Sequence, residues 1–105
     1  MTYPIEYTSK RVRALCTNQK EGHVHLGPKA WKKLALRIKE LESSPDVDTL
    51  KQGPGKWHEL KRDQAGAVSG KVDGGRTIVV IYVGDSPGPD GAVWLVECVG
   101  DCYEH

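Results

Sequence analysis

Apolar positions in the first half of the chain recur with helical spacing, and in the second half they gather into short runs divided by glycine and proline. Thr8 or Ser9 can cap a first helix running to about Gln19, with Val12, Leu15 and Cys16 on one face. "EGHVHLGP" then breaks the pattern and reads as a loop that carries His23 and His25 exposed. Pro28 suits the first turn of a second helix. Trp31, Leu34, Ala35, Ile38 and Leu41 follow its apolar face to near Ser43, with Lys32, Lys33, Arg37 and Lys39 mostly on the solvent side. "SPDVDTL" reads as a turn, and the glycines and proline of "KQGPG" cannot continue a helix.

From Trp57 the pattern is that of strands: "WHELK", "GAVSGKV", "RTIVVIYV" and "AVWLVECV". The last two are apolar at consecutive positions, as in central strands covered on both faces. Ile5 to Tyr7 adds a short strand at the start. The expected fold class is α+β, ordered β-α-α-β-β-β-β, with a helical hairpin packed on an antiparallel sheet. A chain of 105 residues holds one such domain over residues 1–105.

Composition narrows the function classes. No apolar stretch approaches the ~20 residues that span a bilayer, and the N-terminus lacks a signal-peptide pattern, so the expectation is cytoplasmic without membrane contact. Cys16, Cys98 and Cys102 lack CxxC spacing and are read as reduced, with no metal set and no cofactor. The net charge of +1 is unevenly spread: residues 1–42 hold nine Lys/Arg against four Asp/Glu, and the remainder six against ten. A basic first half suits a nucleic-acid backbone, although amphipathic helices often carry basic solvent faces.

In an antiparallel meander the turn before Arg76, the start of the "WHELK" strand and the end of the last strand fall at one rim. His58, Arg76 and the tail Tyr103, Glu104 and His105 are therefore expected together. Lys61 lies ~10 Å deeper on an ideal strand and on the opposite face from His58. These groups suit a phosphodiester. A guanidinium matches phosphate oxygens and the charge that develops on them, and imidazoles move protons near neutrality. Trp57 is either a core or rim aromatic or, beside His58, a platform for a base.

"GPGKWHELKRDQAGAVSGKVDGGRTIVVIYV", with the closing "DCYEH", resembles the HigB-type toxins of the RelE/ParE superfamily of bacterial toxin-antitoxin systems. "TSKRVRALC" and "LGPKAWKKLALRIKELESSPDVDTL" are similar to that family's helical hairpin, so the resemblance covers nearly the whole chain. It implies a metal-independent, ribosome-dependent endoribonuclease that cleaves translated mRNA and so inhibits translation. The implied partners are a cognate helix-turn-helix antitoxin, the ribosome and its mRNA, and operator DNA through the antitoxin complex.

By position, the resemblance assigns Arg76 to phosphate and transition-state stabilisation, and Lys61 to phosphate binding or proton transfer. His58 and His105 become the general base and acid, in an order left open. Trp57, Arg62 and Lys56 flank this set as RNA-binding candidates. Arg62 stands where the family has glycine. Aligning His105 puts Glu104 at the family's tyrosine position, with Tyr103 one residue early, so either can serve. Two other functions remain compatible with the sequence: a ParE-like toxin that poisons DNA gyrase, and a catalytically weakened module that binds antitoxin and regulates its operon.

Overall fold

The computed structural model describes residues 3–53, 55–59, 67–73, 75–84 and 91–100. The elements are β1 (Ile5–Tyr7), α1 (Lys10–Thr17), α2 (Gln19–Leu26), α3 (Pro28–Glu42), α4 (Val47–Lys51), β2 (His58–Glu59), β3 (Ala67–Lys71), β4 (Thr77–Tyr82) and β5 (Trp94–Gly100). They build five strands in the order β1-β5-β4-β3-β2. β2 to β5 form the antiparallel meander expected from the sequence, whereas β1 joins the far edge parallel to β5, so the sheet is mixed.

Local chemistry accounts for the helices. Ser9 caps α1, its Oγ accepting from Val12 N at 3.2 Å. The segment expected to be a loop is instead α2. Asn18 ends α1 and caps α2, its Oδ1 accepting from Glu21 N at 3.2 Å, and Gly27 stops the helix with φ 90°. His25 is exposed beside Glu21, as expected of a surface histidine, but His23 is half-buried edge-on to Trp31 with ring centroids 5.4 Å apart. The turn at "SPDVDTL" holds the short α4, capped by Asp46, whose carboxylate accepts from Thr49 N at 2.8 Å. That bond holds the Asp46 carboxyl below its ordinary value.

The core lies between the helices and one face of the sheet. Leu34, Leu41 and Leu50 pack against Val68, Ile78, Val80, Trp94 and Val96. Trp94 is fully buried and donates its indole N–H to Ser44 O at 2.9 Å. The opposite face is covered as well, since Ala67, Ser69, Val79 and Ile81 are buried, which is why the strand sequences are apolar without alternation. An irregularity between Val79 and Val80 shifts the β4–β5 register. Cys16 is free and buried in the core, whereas Cys98 is disulfide-bonded, contrary to the expectation that all the cysteines are reduced. Among the described residues, no helix is long and apolar enough to cross a membrane.

Candidate functional site

Helical spacing put Arg37 on the solvent face of α3, yet it is buried. Its Nε donates to Lys71 O at 2.8 Å, and its Nη1 bonds Glu40 Oε2 one turn along the helix. The second Glu40 oxygen accepts from Gly55 N at 2.9 Å and from Trp57 Nε1 at 3.0 Å. One ion pair thus joins α3 to the end of β3 and to the connection that enters β2. Its low exposure is matched by a carboxylate counter-charge and a carbonyl acceptor, as a buried guanidinium requires.

Trp57 is correspondingly only 4% exposed. Its ring lies over Gly70, where an added Cβ would approach ring carbons to 2.8 Å, so glycine is required there. This removes Trp57 from the RNA-facing candidates: both its ring and its N–H are used inside the protein. Between the fixed residues Gly55 and Trp57 stands Lys56, exposed and at φ 53°, a backbone region that side chains other than glycine, asparagine and aspartate seldom adopt.

Arg76 occupies the turn between β3 and β4. Its backbone is pinned on both sides, Arg76 N donating to Asp73 O at 3.0 Å and Arg76 O accepting from Val72 N at 3.0 Å. Gly75, at φ 82°, lets the turn close. The side chain lines a cleft of about 450 Å³ between this turn and α3, together with Lys33, Arg37, Lys56, Lys71 and Asp73. Among the described residues no carboxylate pairs with Lys33, Lys56, Lys71 or Arg76. Arg37 is neutralised by Glu40, which leaves Lys33, Lys56 and Arg76 against the Asp73 carboxylate, so the described lining is net positive.

The expected convergence of His58 with Arg76 is not formed. His58 pairs with Ser69, and Ser69 with Val79, so His58 lies three residues along the strand from Arg76 and two strands away. Ideal spacing makes that ~14 Å. The faces differ too. Residues opposite one another share a face, which puts His58 with Ser69 on the side away from the helices, while Arg76, beside Val72, belongs to the helix side. The diagonal neighbour of His58 on its own face is Lys71, within reach of a long side chain. Lys61, Arg62, Tyr103, Glu104 and His105 lie outside the described residues.

Lys33, Arg37, Glu40 and Lys71 are thus the site residues that motif reasoning missed. A signal for Arg37 was present. It stands three residues after Leu34 and four before Leu41, on the apolar stripe itself.

Helices on one face of a five-stranded mixed sheet, with a β1 edge parallel to β5 and a basic cleft where α3 meets the β3–β4 turn, define an α+β fold of the YoeB/RelE type. Two solved structures have it. The YoeB dimer from Staphylococcus aureus superposes with a TM-score of 0.64 at 14% identity, covering 95% of this chain and 97% of that one. The YoeB–YefM complex from the same organism gives 0.56 at 17% identity, with the same coverage. No protein-family model matches the chain, and no curated protein matches it by sequence.

Proposed function

We propose that this protein is the toxin of a type II toxin-antitoxin pair, a HigB-like, metal-independent endoribonuclease that cuts translated mRNA on the ribosome and is restrained by a helix-turn-helix antitoxin. The observation that carries this reading is Arg76, fixed on a glycine-closed turn at a cationic cleft of about 450 Å³ in a YoeB-like fold. The YoeB–YefM complex supports an antitoxin as partner for a chain of this shape.

In the reaction proposed, the ribose 2′-oxygen attacks the adjacent phosphorus and the bond to the 5′-oxygen breaks, leaving a 2′,3′-cyclic phosphate and a 5′-hydroxyl. One group takes the 2′-proton and another gives a proton to the departing 5′-oxygen; His105 is the candidate for one of these transfers, His58 lying ~14 Å from Arg76 on the opposite face of the sheet. Arg76 holds the non-bridging oxygens as charge builds on them, a contribution that typically changes rates by 10²- to 10³-fold, about 3–4 kcal/mol. Lys61 binds phosphate or assists proton transfer, Lys71 adds positive charge on the His58 face, and Tyr103 or Glu104 fills the place of the family tyrosine. Lys56 and Arg62 contact the strand beyond the scissile bond.

Induction in a bacterium without antitoxin tests the reading. Protein synthesis stops before DNA is damaged, mapped mRNA ends fall within translated regions, and Arg76→Ala abolishes both arrest and cleavage while remaining folded. DNA damage preceding the loss of translation would assign the protein to gyrase poisoning instead.

A further inference from the structure

We propose that Cys98 and Cys102 form a thiol–disulfide switch that sets where the C-terminal tail, residues 103–105, stands relative to Arg76. The effect on cleavage rests on the ribonuclease reading above, whereas the movement of the tail stands without it.

The pairing follows from the cysteine count. Of three cysteines, Cys16 is free and buried and Cys98 is disulfide-bonded, which leaves Cys102, outside the described residues, as the partner within this chain. In an extended strand residues 98 and 102 stand ~13 Å apart, whereas a disulfide holds its two Cα atoms about 4–7 Å apart. The chain between them has to turn. Gly100, midway, is at φ 107°, in the region that glycine adopts without strain, and β5 ends there. The backbone thus already bends where closing the bond requires it.

The position of the bond suits a switch better than a staple. It closes a loop of only five residues near the chain end, which constrains the unfolded chain less than a long loop does. Cys98 is half-buried and within reach of small thiols, whereas Cys16 is enclosed in the core.

The sheet gives the switch its direction. Cys98 pairs with Val79, Val79 with Ser69 and Ser69 with His58, so Cys98 belongs to the face away from the helices and Arg76 to the other. Oxidised, the tail starts beside Cys98 on the face opposite Arg76. Reduced, the chain is free to continue β5 past Gly100, where the pairing of Thr77 with Gly100 puts residue 101 opposite Arg76. The coupling is short. Thr77 Oγ1 donates to Gly100 O at 3.5 Å, and Arg76 is the residue before Thr77. Oxidation therefore holds His105 away from the Arg76 cleft, and reduction releases it.

The co-reactant is a low-molecular-weight thiol and its disulfide. In reduction one thiolate attacks a sulfur of the Cys98–Cys102 bond, which breaks, and the other sulfur leaves and takes a proton. A second thiolate then attacks the mixed disulfide, so two small thiols become one small disulfide and the protein gains two thiols. Oxidation is the reverse exchange.

The test uses the full chain, labelled with ¹⁵N and equilibrated in glutathione buffers of varied thiol-to-disulfide ratio. Oxidised wild type is lighter by about 2 Da, the two hydrogens lost, with Cys98 and Cys102 both protected from alkylation. The Arg76 amide and the His105 ring resonances differ between the two states, and those of Leu34 in α3 do not. In a translating system without added reductant, the reduced form cuts mRNA about 10²-fold faster, the scale of a displaced proton-transfer group. Cys102→Ser behaves as reduced wild type in every buffer, and Cys16→Ala retains the switch.

The proposal is overturned if Cys98 and Cys102 are alkylated equally in all buffers, or if oxidation links Cys98 to Cys16 or to a second molecule. It is overturned too if the spectral changes stop at residue 102, or if both states cut mRNA at one measurable rate. A reduced form that leaves mRNA intact, with the Arg76 and His105 changes present, refutes the ribonuclease reading and upholds the switch.

Discussion

Removing the Glu40 carboxylate would leave the Arg37 guanidinium buried without its counter-charge, and Gly55 N and the Trp57 indole without their acceptor. Breaking one side of a buried pair costs about 3 kcal/mol, so Glu40→Ala is expected to lower the unfolding free energy by that much, read as a lower urea midpoint at unchanged slope. Gly70→Ala forces a Cβ to 2.8 Å from the same indole and should cost about 1–3 kcal/mol in the same assay. These residues show what a motif reading leaves out. His58 and Arg76 draw notice because their side chains suit a reaction, whereas Arg37 and Glu40 act through backbone partners that are distant in sequence. The position of Arg37 on the Leu34–Leu41 stripe could be read from the chain, but its bond to Lys71 O belongs to the tertiary fold. Trp57 illustrates the converse, since neighbouring residues in an extended chain face opposite ways and nothing local says which way a single indole turns.

Alkaline pH probes two further residues. Burial pushes the Cys16 thiol up to about 12, and burial followed by nearby charges pushes the Tyr7 phenol up to about 12. Both are neutral acids whose folded pKa exceeds the unfolded value. Their contribution to stability is complete below the ordinary values of 9.0 for Cys16 and 10.0 for Tyr7, and is lost as pH rises toward 12. Unfolding followed from pH 8 upward should show stability falling from about pH 9, and Cys16 should resist alkylation at neutral pH until the protein unfolds. At the acid end the sign reverses. The lowered Asp46 carboxyl stabilises α4 above its ordinary value of 3.8, and that support is lost as pH falls through the folded value.

Among the elements, α3 and the strands β4 and β5 were legible because each keeps one pattern over many residues: a 3.6 period for Pro28 to Glu42, and largely consecutive apolar positions for strands covered on both faces. The helix α2 was not. Gly22 stands in its middle, two histidines follow, and its apolar positions form no stripe. It is held by its Asn18 cap and by Trp31, which bonds Leu15 O at 3.0 Å and fills the space where a Gly22 side chain would stand. Asn18→Ala should therefore lower stability by about 1 kcal/mol and fray α2, visible as faster amide exchange in residues 19–26 with α3 unaffected. The parallel pairing of β1 was also hidden, because three residues specify a strand but not its neighbour.

For the whole molecule, the sequence placed basic residues in the first half and a candidate phosphate-binding arginine in the second, and the fold joins the two. Lys33 of α3 reaches the cleft that Arg76 enters from the β3–β4 turn. A rim reasoned from an ideal meander put His58 beside Arg76, whereas the observed register separates them by two strands and by face. Meander topology predicts which ends are near, but not the register that decides which side chains meet. The claim that most depends on this geometry is that Arg76 stabilises charge on a scissile phosphate. The direct measurement is the cleavage rate of a defined mRNA in a reconstituted translation system, comparing wild type with Arg76→Ala and Arg76→Lys. The account predicts a loss of about 10²-fold or more for alanine, partial recovery with lysine, and unchanged thermal stability for both. Cleavage by Arg76→Ala at the wild-type rate would contradict it.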